Sequence, residues 1–343
     1  MLTESVAARP ADPLQQMLLM LNGHCVEQAL HVVAVLGIAD LLADGTRQAD
    51  DLAEATGAHA PSLYRVMRML AGVGVFTESE DGTFGLTPLG DTLRTDVPHS
   101  ARDRAIFYGS PAMWQAWGSL RLSVMTGEPA FEHVHQTPLY DYLGRHQEVG
   151  APFNRYMSKT SGQHNPAIVA SYDFSSIGTL VDVGGGHGAT LAAVLTAYPL
   201  LRGVLYDLPE VASQATHLRA DGLKDRCTTT GGDMERSVPV GGDAYLLKWV
   251  LMDRPDEVAI RLLKNCAAAA GEHGKVLAVE MVMPAGGEPS FSKLMDVQML
   301  LLFGGGRLRT EAEFRSLFAA AGLRLTRIIP TPSPNSIIEG VPA

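Results

Sequence analysis

The sequence predicts an α/β protein: a mainly parallel sheet behind a smaller, mainly helical N-terminal domain. Short apolar runs alternate with helical stretches from about residue 179 onward, which is how a parallel sheet covered on both faces reads. One of those runs ends in a cluster of glycines and passes directly into an Ala-rich helix. The first 170 residues instead carry the three-and-four spacing of helices. The 343-residue length suits two domains, and 46% apolar against 19% charged residues suits a packed core.

The first ordered segment reads as one helix from Leu14 to Leu42, after a loose tail up to about Pro13. Val26, Leu30, Val33, Gly37 and Leu41 hold the helical period, while Val32, Ala34, Val35, Leu36 and Ile38 fill the other faces. A helix apolar all round must be covered on all sides. The cover is either the rest of its own chain or a second subunit, and at a domain edge the second subunit is the simpler source. A helix from Ala49 to Thr56, a turn at Gly57 and a helix from Pro61 to Ala71 follow. Strands at Val75–Thr77 and Thr83–Leu86 flank a polar turn. A helix-turn-helix with a two-stranded wing is a winged-helix pattern. Between Thr46 and Pro98, however, four basic residues (Arg47, Arg65, Arg68, Arg94) face eight acidic ones. Such a surface repels phosphate, so no nucleic-acid partner is expected.

Charge and cysteine use give the same class of protein. The formal net charge is −10, and the three cysteines (Cys25, Cys227, Cys266) are widely spaced with no C-x-x-C. Neither a disulfide framework nor a zinc finger is expected, which points to a reducing compartment. The N-terminus lacks a basic signal region, and no 18-residue uncharged apolar span is read, so the expectation is cytoplasmic with no membrane partner.

Residues 100–173 read as mostly helical and rich in aromatics. Strands are then expected at Thr179–Val183, Gly203–Tyr206, Arg226–Thr230, Ala244–Leu247 and Lys275–Val279, with a helix at Ala189–Thr196. A helix over Thr310–Ala321 and a terminal pair, Leu323–Ile329 and Ser336–Glu339, complete the sheet.

The most informative segment is Val181-Asp-Val-Gly-Gly-Gly-His-Gly188. Glycines let a ligand approach the backbone, and the helix that follows offers unpaired N–H groups. Ligands of open α/β sheets bind at such strand ends. Gly184-x-Gly186-x-x-Ala189 alone fits a loose dinucleotide fingerprint. Two features turn the reading toward another nucleoside. Asp182 precedes the loop where an apolar residue is usual, suiting a cationic amino-acid moiety. Asp207 ends the second strand, 19 residues after Gly188, where a carboxylate takes ribose hydroxyls. Asp233 and Met234 follow the third strand, an acceptor and a thioether that suit an adenine edge and face.

The chain resembles the S-adenosylmethionine-dependent O-methyltransferases of the plant caffeate/hydroxyindole type, also found in bacterial natural-product pathways. The likeness runs from about Gln15 to the end. It includes Ala29–Leu42, Phe84–Gly90, Thr126–Phe131, Leu180–Gly188, Asp207–Val211, Gly232–Met234, Leu247–Glu257 and Phe303–Phe314. The resemblance implies a Rossmann-like seven-stranded methyltransferase sheet with an N-terminal mainly α winged-helix dimerisation domain, and hence a homodimer. It assigns 14–105 to dimerisation and 106–343 to the methyltransferase domain, with 106–173 as a helical substrate-pocket segment. It implies S-adenosyl-L-methionine as cofactor. Asp182, Gly184 and Gly186 would line its methionine end, Asp207 its ribose, and Asp233, Met234 and Lys248 its adenine, with Leu208 a further cofactor-binding residue.

One part of the pattern breaks. The family carries His-Asp-Trp after the fourth strand, the His being the general base for a phenolic acceptor. Here Met252 stands at the His, Asp253 at the Asp and Arg254 at the Trp. Of two glutamates that flank that His, Glu280 matches the first and Leu308 replaces the second. A thioether accepts no proton at neutral pH. Base-free transfer to an acidified hydroxyl, or to a carbon or nitrogen nucleophile, is one reading. Replacement of the base by His24, His133, His135, His164, Tyr108 or Tyr156 is another, and non-methylating chemistry with a retained cofactor a third. The acceptor pocket is expected from Met113, Trp117, Phe153, Met157, His164, Met252, Met299 and Phe303, and no metal is expected.

Overall fold

The structure is a computed structural model that describes residues 12–220 and 222–343. The expected loose tail lies outside the described residues up to residue 11. The chain forms two compact units, one of residues up to 114 with 148–156, the other of 115–147 with 157–343.

In the first unit the expected single helix is three: Pro13–Leu21, Gly23–Leu36 and Ile38–Leu41. Asp12 caps the first through its carboxylate on the Leu14 N–H. Gly37, at φ 69°, takes the left-handed conformation that closes the second helix, and this is what breaks the expected run. Pro13–Leu36, with Glu27 as its one charged residue, is long and apolar enough, by length and composition only, to cross a membrane. Leu14, Met17, Leu19, Met20 and Leu21 are exposed along it. Strands β1 (Arg47–Gln48), β2 (Phe76–Glu78) and β3 (Thr83–Leu86) form an antiparallel sheet in the order β1-β3-β2. Helices Ala49–Thr56 and Ala60–Gly72 pack on it through Leu52, Leu63, Met67 and Leu70, around Phe76 and Phe84. The winged-helix pattern is therefore present, with β1 an addition that two residues of sequence do not announce.

The second unit is built on seven strands. These are β4 (Thr179–Val183), β5 (Arg202–Asp207), β6 (Cys227–Gly231), β7 (Ala244–Lys248), β8 (Lys275–Glu280), β11 (Leu323–Pro330) and β12 (Ser336–Pro342). Two short segments, β9 (Val282–Met283) and β10 (Arg309–Thr310), pair separately and in parallel. The large sheet runs β11-β12-β8-β7-β4-β5-β6. Strands β4 to β8 are parallel, and β12 lies antiparallel to both β8 and β11. Alternate residues face opposite cores. Val181, Val183, Tyr245 and Leu247 pack on one side with Leu262 and Phe318, and Leu180, Leu205 and Leu246 on the other with Leu191 and Leu195. Both faces are buried, so the strands read as continuous apolar runs. The order makes β4 the middle of the five parallel strands, with β5 on one side and β7 on the other, and the loop after β4 opens between them.

Candidate functional site

The loop after β4 needs its glycines for two distinct reasons. Gly184, Gly186 and Gly188 have φ values of 70°, 59° and 84°, the left-handed region that glycine enters without strain. Gly185 is needed for space: a Cβ there would fall 2.6 Å from Asp182 Oδ2. The Asp182 carboxylate therefore lies directly beneath the loop, 1% exposed, and Oδ2 has no hydrogen-bond partner among the described residues. Burial pushes it up to about 7, with Lys248 opposing and Asp207 adding to the rise.

Asp207, at the end of β5, ties the loop to its own strand. Its Oδ2 accepts the Gly186 N–H at 2.8 Å and its Oδ1 accepts the Leu208 N–H at 2.7 Å. Burial raises this carboxyl and the two amides oppose the rise. Gly232 has no room for a side chain, because a Cβ would meet Tyr206 Oη at 2.2 Å. Met234 reaches back over the loop, its Sδ 3.5 Å from where a Gly184 Cβ would stand. Asn265 holds the Met234 carbonyl at 2.9 Å. Asp233 is half-exposed, accepting the Glu235 N–H and facing Arg236. Asp182, Gly184, Gly186, Asp207, Leu208, Asp233 and Met234 thus come together at the tips of β4, β5 and β6.

Lys248, expected near the adenine, stands on another strand. It ends β7, on the far flank of β4 from β5 and β6. Its Nζ donates to Ser161 Oγ at 3.0 Å, Asn165 Oδ1 at 3.1 Å and Thr190 Oγ1 at 3.4 Å, and lies 4.2 Å from the centre of the Trp249 ring. Burial lowers its ammonium to about 8, against the attraction of Asp182. Strand order is the reason: a β7 side chain is the electrostatic partner of Asp182.

Beyond β7 the chain turns through Trp249–Asp253 into a sulfur-rich apolar wall. Met281, Met295, Met299 and Leu308 are buried together, and Met252, Met283 and Phe303 pack against them. Glu280 lies at the back of this wall, 1% exposed. Its Oε1 accepts the Leu251 N–H at 2.8 Å, while Oε2 has no partner among the described residues. Burial lifts it to about 8. Asp253 accepts the Tyr140 hydroxyl at 2.7 Å and is lifted to about 6 by burial, and the same pairing and burial hold Tyr140 well above its ordinary value. Arg309, 1% exposed, fixes the turn by donating to the carbonyls of Leu251 and Arg254 and to Asp256.

Of the expected pocket residues, Trp117, Met157, His164, Met252, Met299 and Phe303 belong to this unit. Met113 and Phe153 fall in the other, where Met113 is buried and Phe153 packs on Phe107. Among the candidate bases, His24, Tyr108 and Tyr156 also lie there, the last two engaged by Arg104. His135 packs between Phe131 and Tyr142, and no metal-binding cluster occurs among the described residues. Tyr140, Asn165, Trp249, Arg309 and Asn335 were not anticipated.

A glycine cradle with acids at three neighbouring strand tips, beside an apolar wall at the tips of β7 and β8, defines an α/β group-transfer enzyme with a nucleoside cofactor. Comparisons with known proteins agree. An O-methyltransferase domain matches residues 117–324 and an O-methyltransferase dimerisation domain residues 18–96. The chain is 45% identical to a phenazine O-methyltransferase of Lysobacter antibioticus, over 97% of both chains. It is 39% identical to an 8-amino-8-demethylriboflavin N,N-dimethyltransferase of Streptomyces davaonensis, over 90% of both. The crystal structure of an O-methyltransferase from neocarzinostatin biosynthesis, in complex with S-adenosylmethionine and 2-hydroxy-5-methyl naphthoic acid, superposes with a TM-score of 0.82. That protein is 37% identical, and the match covers 93% of this chain and 96% of the other. The chain belongs to the O-methyltransferase family. It is an S-adenosylmethionine-dependent methyltransferase that acts on small-molecule acceptors. The orphaned Asp182 oxygen and the loop that admits no side chain at Gly185 fit that cofactor.

Proposed function

We propose that the chain methylates an oxygen of a planar aromatic or polyketide-like secondary metabolite without a general base at the reacting atom. The observation that carries this reading is the surroundings of Met252: four buried apolar side chains, with Met283 and Phe303 packed against the same cluster. Glu280, lifted to about 8, keeps its proton at neutral pH, and the Asp253 carboxylate is engaged by Tyr140. When bound, S-adenosylmethionine supplies an electrophilic methyl group on a positively charged sulfur. The chain's own work is then positioning. Asp207 and Leu208 hold the ribose, Asp233 and Met234 flank the adenine, and Gly184, Gly186 and Asp182 line the methionine end with Lys248 behind it. The methionines form a soft wall for a flat ring.

Magnitudes favour such a design. Positioning two reactants supplies roughly 7–11 kcal/mol, whereas a general base contributes about 10²–10⁴-fold, or roughly 3–5 kcal/mol. A hydroxyl acidified by a conjugated carbonyl needs the smaller term least. An amine acceptor needs none of it, and the similarity to an N,N-dimethyltransferase supports nitrogen as the alternative acceptor. The match to the dimerisation domain and the exposed Leu14, Met17, Leu19, Met20 and Leu21 support a homodimer, and a cytoplasmic location accords with both.

The test is turnover of S-adenosylmethionine to S-adenosylhomocysteine against phenols of graded acidity. Base-free transfer predicts a rate that climbs with acceptor acidity at fixed pH. A rate independent of acceptor pKa, or no turnover with any acidic phenol or arylamine, would refute it.

A further inference from the structure

Three residues distant in sequence meet at the carboxyl ends of β7 and β8. The Trp249 indole N–H donates to Asn335 Oδ1 at 2.7 Å, and Asn335 Nδ2 lies 3.1 Å from His164 Nδ1. Asn335 is 1% exposed and immediately precedes β12, whose Ser336 pairs with Glu280. Trp249 has φ 56°, an uncommon conformation for a bulky residue, and its N–H donates to the Val279 carbonyl at 3.1 Å.

This chain of contacts has one consistent assignment of protons. An indole N–H only donates, so the Asn335 oxygen must face Trp249. The Asn335 NH₂ must then face His164, and NH₂ only donates. His164 Nδ1 therefore accepts, and the ring proton sits on Nε2. That atom has no hydrogen-bond partner among the described residues. The ring is half-buried, edge-on to Trp249 at 5.5 Å between centres. Lys248 is the charged group that faces it, and burial together with Lys248 lowers the imidazole, keeping it neutral.

Building on the methyl-transfer reading of this face, we infer that His164 donates a hydrogen bond through Nε2–H to an oxygen of the acceptor, a carbonyl or carboxylate beside the methylated atom. Asn335 is the positioning residue that fixes this tautomer. His164 is thereby removed from the candidate bases: the nitrogen left free carries the proton. Asn335 does here what an Asp-to-Asn change does in a Ser-His-Asp triad, where the wrong tautomer costs about 10⁴-fold in rate. The same placement defines the acceptor class: aromatic molecules with an oxygen acceptor adjacent to the reacting group.

Two measurements on the full chain test this. Imidazole ¹⁵N spectra, with His164→Gln for assignment, are expected to show a neutral Nε2–H ring at pH 8. In Asn335→Asp the carboxylate should draw the proton to Nδ1 and make the ring titrate. Separately, calorimetry in the presence of S-adenosylhomocysteine reads the affinity ratios of salicylate to phenol and of 1-hydroxy-2-acetonaphthone to 1-naphthol. His164→Phe should lower one or both ratios roughly 10- to 100-fold, and His164→Gln should restore most of the loss. The first ratio reads a carboxylate, the second a carbonyl. An Nδ1–H or protonated ring in the parent protein, unchanged ratios in His164→Phe, or no binding of any of the four compounds would overturn the inference. Failed turnover with intact binding and an Nε2–H ring would instead overturn the methyl-transfer reading alone.

Discussion

Replacing Met252 with His places an imidazole in the one position where the family carries its base. At pH 7 a phenol of pKa about 10 is about 0.1% ionised, whereas one acidified to about 7 is half ionised. The two differ some 500-fold in reactive anion, or about 3.7 kcal/mol. A general base is worth 10²–10⁴-fold, so it can close that gap for the ordinary phenol and adds little for the acidic one. The setting helps the new base, since Glu280 lies beneath the turn with a carboxyl oxygen to spare and can orient the imidazole. It also charges for it. Burying an imperfectly paired polar ring among Met281, Met295, Met299 and Leu308 costs about 1–3 kcal/mol. The expected outcome is a gain of about 10- to 100-fold in kcat/KM toward simple phenols and a loss toward acidified ones, with unchanged affinity for S-adenosylmethionine. The assay is S-adenosylhomocysteine release over a series of substituted phenols, plotted against their pKa. The parent protein should give a steep dependence and Met252→His a shallow one. A shallow plot for the parent protein would show that a base already operates there, and a Met252→His plot as steep as the parent's would show that the position cannot host one; either would refute the reasoning.

Three further outcomes follow from the same geometry. Glu280 has an ordinary value of 4.5 and is lifted to about 8 in the fold, so the native state holds an extra proton between those values. Its contribution is intact below about pH 4.5 and lost as pH rises through 8, on the order of 3–5 kcal/mol in all. Glu280→Gln should flatten that decline in urea melts at pH 5 and 8.5, and an unchanged slope would disprove the burial argument. Asp207→Ala orphans the Gly186 and Leu208 amides and would remove the proposed ribose contact, and calorimetry should show S-adenosylhomocysteine binding weakened roughly 100-fold. Arg309→Ala leaves the Leu251 and Arg254 carbonyls without their donor, and should lower stability by about 3–5 kcal/mol in chemical denaturation, with no rescue by Lys.

Periodicity reveals what is local. Thr179–Val183 and Ala49–Thr56 are legible because each is a short apolar or amphipathic run bounded by glycine or a polar turn. The terminal strands and their antiparallel pairing are legible for the same reason. The breaks at Asn22 and Gly37 are not, since an apolar stretch shows no change of period where a single residue, left-handed at Gly37, ends a helix. The glycine loop and its acids carry their own spacing and could be read directly. Lys248 could not be placed, because which flank of β4 a strand occupies is a property of topology. The Trp249–Asn335–His164 contacts join residues 86 and 171 positions apart, with Asn335 sitting in a Pro- and Ser-rich turn that reads as an ordinary loop. The thioether of Met252, in the frame where the resemblance expects a histidine, is by contrast legible directly.

The insertion of β12 between β8 and β11 has a consequence for assembly. The residues proposed to hold the nucleoside lie within one contiguous stretch, from β4 to the tip of β7. The wall facing the second substrate must wait for a late hairpin to dock and deliver Asn335 beside Glu280. Closing that long loop is the slow, non-local step. Gradual denaturation should therefore abolish recognition of the methyl acceptor while the donor is still held, leaving a half-built enzyme that binds one reactant and ignores the other.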